Sequence, residues 1–248
     1  GVVPAVIGEC LGDPDVTARQ LRRKDRVDFH GCDLGADGPL DLSGFDLSGA
    51  HFHGGDWAET IFDGADLSNA DFHELSMNNA TFVGADLDDF FARDFSMVGA
   101  NFSGADLTDA QFERGDLRGS SFASALIDSV DFSDINSQGV TFAGATITDS
   151  NMKHMKLRNA SFAGTTLRKV NLEGADIRYA SFDNADLDEV KFQRAEVKAS
   201  TFLGADLEDV NFDHATGEAQ LGSSGQWVDV KCPDGDDETP YRTCEWQP

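Results

Sequence analysis

The stretch Ala80-Thr81-Phe82-Val83-Gly84-Ala85-Asp86-Leu87-Asp88-Asp89 decides the fold. Twenty residues on, the chain repeats it as Ala100-Asn101-Phe102-Ser103-Gly104-Ala105-Asp106-Leu107-Thr108-Asp109. An apolar residue stands at every fifth place, and a small one usually stands two residues before it. Working outward, this register holds without a slip from Leu42 to Phe212. A unit of five residues cannot bury its own apolar side chain, so units must stack on one another to make a core.

Helices space apolar residues by three and four, and strands alternate them; neither fits. An apolar pair at i−2 and i followed by a polar gap gives a short extended piece and a turn. Four such corners close a square, so one coil takes twenty residues. Sorting the centres by coil gives nearly pure columns. One runs from Phe62 through Phe102, Phe122 and Phe142 to Phe202, and the next from Leu47 through Leu87 and Ile127 to Leu207. The third begins Phe52, Phe72, Ala92, Phe112, and the fourth is mixed, with Trp57, Met77, Met97 and Leu117. Two centres, Ala92 and Ser137, are too small, but their i−2 partners, Phe90 and Ile135, are correspondingly large. Close packing demands such an exchange if both positions point inward.

Units such as Ala65-Asp66-Leu67-Ser68-Asn69 and Ala105-Asp106-Leu107-Thr108-Asp109 match the consensus Ala-Asp/Asn-Leu-X-X, and over residues 40–215 the chain resembles the pentapeptide-repeat family. The resemblance implies an all-β solenoid, a right-handed quadrilateral parallel β-helix of about nine coils stacked at roughly 4.7–4.9 Å. It also implies a protein without catalysis or cofactor. The best understood members are DNA mimics that bind type II topoisomerases such as gyrase; others sit in cyanobacterial or plastid lumens.

The flanks differ in kind. Residues 1–39 read as an N-terminal cap, with Asp13-Pro14 opening a short helix that covers the first coil. Residues 216–248 read as a linker around Gly222-Ser223-Ser224-Gly225, then a tail rich in Asp, Pro and Cys. Cys10 and Cys32 lie in the cap, Cys232 and Cys244 in the tail, and none in the repeats. Two pairs in two core-poor segments read as disulfide staples; the competing reading, a four-thiolate zinc site, lacks a Cys-x-x-Cys knuckle. Disulfides imply an extracytoplasmic home: secreted, periplasmic or thylakoid lumen.

The formal net charge is −26. That argues against nucleic acid or an anionic membrane as partner, and suits a cationic protein surface, a polyanion mimic or plain solubility. Outward positions are i−1, i+1 and i+2. Over the Leu/Ile column they carry Asp46, Asp66, Asp86, Asp88, Asp106, Asp109, Asp186 and Asp206 among other acids, with only Arg168 and Lys169 against them. Asp66, Asp86 and Asp106 recur once per coil, so crowding is expected to raise the pKa of some of them. Acids on this face number roughly one per 2.7 Å, against one phosphate per about 1.7 Å in B-DNA.

The Phe column carries the opposite kind of face. Thr81, Ser103, Ser121, Thr141 and Ser161 stand on it among Ala and Gly, without charge from Thr81 to Gly164. It reads as a hydroxyl spine or as an interface for a partner or a second copy, and the rod ends are a further place for self-association. Enzyme chemistry has little support. His51, His53 and His73 beside Asp71 form the one histidine group, better suited to a solvated patch than to a metal. The acidic run Pro233-Asp234-Gly235-Asp236-Asp237-Glu238 lacks EF-hand spacing.

Overall fold

In the computed structural model, residues 39–222, 225–233 and 237–238 are described. The chain winds as a parallel, four-sided β-helix with one coil per twenty residues: Asp41 bridges Ile61, Ile61 bridges Thr81, and Thr81 bridges Asn101, all in parallel. Each coil bonds to the next through its backbone. The Phe122 N–H donates to the Thr141 carbonyl at 2.7 Å, and the Thr141 N–H donates to the Ser120 carbonyl at 3.0 Å. The helix expected within 1–39, together with Cys10, Cys32 and Cys244, lies outside the described residues.

The corners follow from local chemistry. Every residue from Gly44 to His214 whose number ends in 4 or 9 has a positive φ, near 50–70°. Gly, Asn and Asp, which tolerate left-handed backbone, fill most of these places. At most corners the carbonyl of the centre accepts a hydrogen bond from the N–H three residues on, as Ala65 donates to Phe62 at 3.0 Å. A positive φ at the third residue and that bond together make a type II turn. Where this bond is missing the chain stays extended for three residues. Such pieces align on the Phe52 face in the first half, from His51–His53 to Gln111–Glu113. In the second half they align on the Leu/Ile face, from Leu126–Asp128 to Asp206–Glu208.

Both i and i−2 point inward, and the core fills the rod from end to end. Phe82, Phe102, Phe122, Phe142, Phe162, Phe182 and Phe202 are all inaccessible. Their rings stack at 4.6–5.2 Å, with Phe122 held 4.7 Å from Phe102 and 5.2 Å from Phe142. The exchanged pairs behave as packing requires: Phe90, Ala92, Ile135 and Ser137 are all fully buried. A further exchange crosses coils. The ring of Phe95 occupies the space a side chain at Gly115 would need, within 1.9 Å of where its Cβ would stand.

The described residues of the stretch read as a linker follow the coil path instead. Gln220–Leu221 pairs with Thr201–Phe202, and Trp227–Val228 with Leu207–Glu208, both in parallel. Gly225 sits so close to the preceding coil that a Cβ there would meet the Ala205 carbonyl oxygen at 1.7 Å. This glycine serves close packing. Asp237–Glu238 then runs antiparallel along Val230–Lys231, in the place of a further coil.

Truncating Phe122 to Ala should cost about 3–5 kcal/mol in chemical denaturation, the usual range for a buried ring. Tyr179 is 53 % exposed and holds a φ of 61°. Replacing Tyr179 by Gly should therefore stabilise the rod by roughly 0.5–1 kcal/mol, since left-handed backbone strains any residue with a Cβ.

Candidate functional site

The Leu/Ile face gathers the acids that the sequence assigned to it. Asp46, Asp66, Asp86 and Asp106 form one column, each bridged in parallel to the next. The column then passes through Leu126, Thr146 and Thr166 before Asp186 and Asp206 resume it. The i−1 acids therefore fall into two groups, with Asp128 and Asp149 at other outward positions of the face between them. Between the groups also lie Leu126, which is 42 % exposed, and Arg168, which binds Asp188 at 2.8 Å.

These column carboxylates have a structural task that the sequence reading missed. Asp66 Oδ1 accepts the Ser68 N–H at 3.1 Å and the Ser68 hydroxyl at 2.7 Å. Asp106 accepts the Thr108 N–H at 3.1 Å and its hydroxyl at 2.7 Å, and Asp86 accepts the Asp88 N–H at 3.2 Å. Asp46 accepts the Ser48 hydroxyl at 2.8 Å. Each is an Asx turn that fastens the start of a corner. The signal was legible as Asp/Asn-x-Ser/Thr at i−1 and i+1, in Asp46-x-Ser48, Asp66-x-Ser68, Asn101-x-Ser103 and Asp106-x-Thr108.

A raised carboxylate stands at i+1, at Asp88, two residues beyond Asp86. Burial pushes the Asp88 carboxyl up, aided by the charges of Asp89, Asp86, Asp106 and Asp109. Asp88 makes its folded state bind a proton more readily than the unfolded chain. Its charge therefore opposes folding above its folded pKa and ceases to do so as pH falls through it.

The face over the Phe column is flat and uncharged through its middle. Thr81, Asn101, Ser121, Thr141 and Ser161 form a parallel ladder. Their polar atoms turn largely to their own corners: Asn101 accepts the Ser103 N–H at 3.0 Å, and Thr141 Oγ1 accepts the Ala143 N–H at 3.2 Å. One hydroxyl contact joins coils here, Ser103 to Ser121 at 3.0 Å. The acids at the two ends are tied down, Asp63 by the Val83 N–H and Asp183 by the Leu203 N–H, both at 2.9 Å.

The mixed face opposite the acids pairs its charges internally. Asp176 accepts from Arg178 and is held below the usual carboxylate range, chiefly by that hydrogen bond. On the Phe52 face, Asp94 and Arg114 pair through two contacts of 2.8 Å. The Arg114 hydrogen bond lowers the Asp94 carboxyl. Among the described residues, no cluster of His, Cys, Asp and Glu is arranged to hold a metal. A shallow depression of about 490 Å³ is lined by Lys169, Asn171, Glu189, Lys191, Gln193 and Asp209. Cys232 is buried and disulfide-bonded.

Changing Asp88 to Asn should raise the melting temperature at neutral pH and low salt. The gain should shrink with added NaCl, which screens the same repulsion, and should fade as the pH is lowered through the carboxylate range.

Residues 145–219 match the sequence profile of the pentapeptide repeat region. Residues 46–82, 58–89 and 93–123 match that of pentapeptide repeats in eight copies. No curated protein sequence matches significantly. In fold, the chain is similar to HetL, a pentapeptide repeat protein involved in heterocyst differentiation regulation from a Nostoc cyanobacterium. The identity is 22%, covering 88% of this chain and 94% of that one, with a TM-score of 0.56. It is likewise similar to trypsin-treated QnrB1, a plasmid-mediated fluoroquinolone resistance protein, at 20% identity over 74% of this chain and 91% of that one, with a TM-score of 0.54. Coil period, left-handed corners and profile matches agree: the chain belongs to the pentapeptide-repeat family.

Proposed function

We propose that this protein is a non-catalytic scaffold whose Leu/Ile face binds the cationic surface of a protein partner outside the cytoplasm. The observation that carries this reading is the fixed carboxylate column. Asx turns hold Asp46, Asp66, Asp86 and Asp106 in defined orientations, one per coil. A preorganised row of charge loses little entropy on binding and favours fast, salt-sensitive association. The oxidised state of Cys232 supports the location, since structural disulfides persist in oxidising compartments. The uncharged ladder from Thr81 to Ser161 is a second surface on the same rod, open to a further copy or partner.

The runner-up is a DNA mimic that blocks a type II topoisomerase. The run of acids from Asp46 to Asp109 favours it. The break at Leu126, Thr146, Thr166 and the Arg168–Asp188 pair speaks against it, since no duplex interrupts its phosphates in this way.

Capture from the native source, with the wild type and the Asp86→Asn/Asp106→Asn variant as baits, tests the first reading. Asn keeps the Asx acceptor and removes the charge. The wild type should retain a basic protein in low salt, and the variant should lose it. Equal retention by both would make the face a solubility device. Inhibition of supercoiling by a purified type II topoisomerase, lost in the same variant, would favour the mimic instead.

A further inference from the structure

All five histidines among the described residues lie on the Phe52 face or its trailing corner: His51, His53, His73, His154 and His214. Three gather at its N-terminal end, where they make a connected group. Arg93 Nη2 donates to Nδ1 of His73 at 3.0 Å. That bond needs a lone pair on Nδ1, so the neutral ring carries its proton on Nε2, facing the Asp71 carboxylate. The other oxygen of Asp71 lies 3.4 Å from His51 Nδ1, and Glu74 lies 3.6 Å from His53 Nε2. Phe91 packs edge-on against the His73 ring at 5.4 Å. Asp94 faces Arg93 at 3.8 Å and Arg114 at 2.8 Å, and Glu113 faces Arg114 at 3.6 Å.

Asp71, Glu74, Asp94 and Glu113 thus stand against Arg93 and Arg114. With neutral imidazoles the patch is net negative; with all three protonated it is net positive. Protonation also sets a donor at Nδ1 of His73 against the donor on Arg93, so that hydrogen bond is lost.

We propose that this patch, once protonated, docks on the Leu/Ile face of a second copy of the chain. Charge complementarity and pitch carry the assignment. His53, His73 and Arg93 hold the same position in three successive coils, in parallel register. Asp66, Asp86 and Asp106 do the same on the other face. Both rows therefore have the spacing of the coil, and cations meet carboxylates one for one along the rod. The remaining negative charge of each rod is largely screened beyond about 8 Å at physiological salt. The inference rests on the reading of the Leu/Ile face as a docking surface for cations, and adds a partner and a trigger.

Molar mass from light scattering at about pH 7.5 and about pH 5.5 tests it, the interval over which histidine changes charge. The sequence pI of ≈ 4.2 lies below both, so isoelectric precipitation is not being read. The wild type should be monomeric at the higher pH and reversibly heavier at the lower. His53→Gln, His53→Gln/His73→Gln and Asp86→Asn/Asp106→Asn should each weaken the association at least tenfold; the single variant guards against a folding defect at His73. A monomer at both pH values, or association undiminished in the histidine variants, would overturn the proposal. Association lost in the histidine variants but kept in the aspartate variant would overturn the acceptor face. Retention of a basic protein at neutral pH is a separate readout, so failure here and failure of the scaffold reading are distinguishable.

Discussion

Backbone pairing between stacked coils is the constraint on which everything else in this molecule depends. In most units the N–H groups at i−1, i and i+2 find carbonyls one coil away, as those of Asp66, Leu67 and Asn69 do, so every coil must trace the same square path. The square needs a sharp corner every fifth residue, and the chain makes each one with a left-handed residue. Once the path is fixed, two positions in five point inward, and a continuous core follows from the repetition. The exchanges Phe90 with Ala92, Ile135 with Ser137 and Phe95 over Gly115 show how little freedom remains. Volume can move within a unit or to the next coil, but the path does not bend to accommodate it.

The same constraint changes how the surface charge should be understood. A carboxylate at i−1 is the natural acceptor for the N–H two residues on, so part of the acidity of the Leu/Ile face is corner chemistry. Asp66, Asp86 and Asp106 would be favoured there in any rod of this kind. Asp88, Asp89 and Asp109 are not capping any corner in this way. Asp88 meets like charges on several sides and has its carboxyl pushed up. The surplus is therefore at i+1 and i+2, where neutral residues would fold as well, and there a functional account of the charge has the most to explain.

The architecture was legible in the sequence because its determinants are local and repeat. Column purity gave the coil length, and the outsized residues at Phe90 and Ile135 identified both inward positions. The task of Asp66 was less visible, since an acid at i−1 looks the same whether it serves a corner or a partner. The path of residues 216–222 and 225–233 was hidden for a different reason. Beyond Phe212 the period is lost, and Gly222 and Gly225 have the composition of a linker while packing against Leu203 and Ala205. The histidine group was found as a cluster, but its ordering by Arg93 depends on a contact between neighbouring coils that spacing alone does not specify.

A fixed path also keeps the four faces apart. Each outward position belongs to one column for the whole length of the rod, so most of the acids, the uncharged hydroxyl ladder and the histidines gather on different sides. Five residues gained or lost in a central coil would preserve the square path, because every unit is a corner. They would turn everything downstream by one face. Asp186 and Asp206 would then leave the line of Asp86 and Asp106, while the hydroxyl ladder would run on into a charged side. Such a slip would set Phe against Leu or Ile in the core and misalign like surfaces outside it. The unbroken register from Leu42 to Phe212 thus keeps Phe stacked on Phe in the core and like outward positions in line along each face.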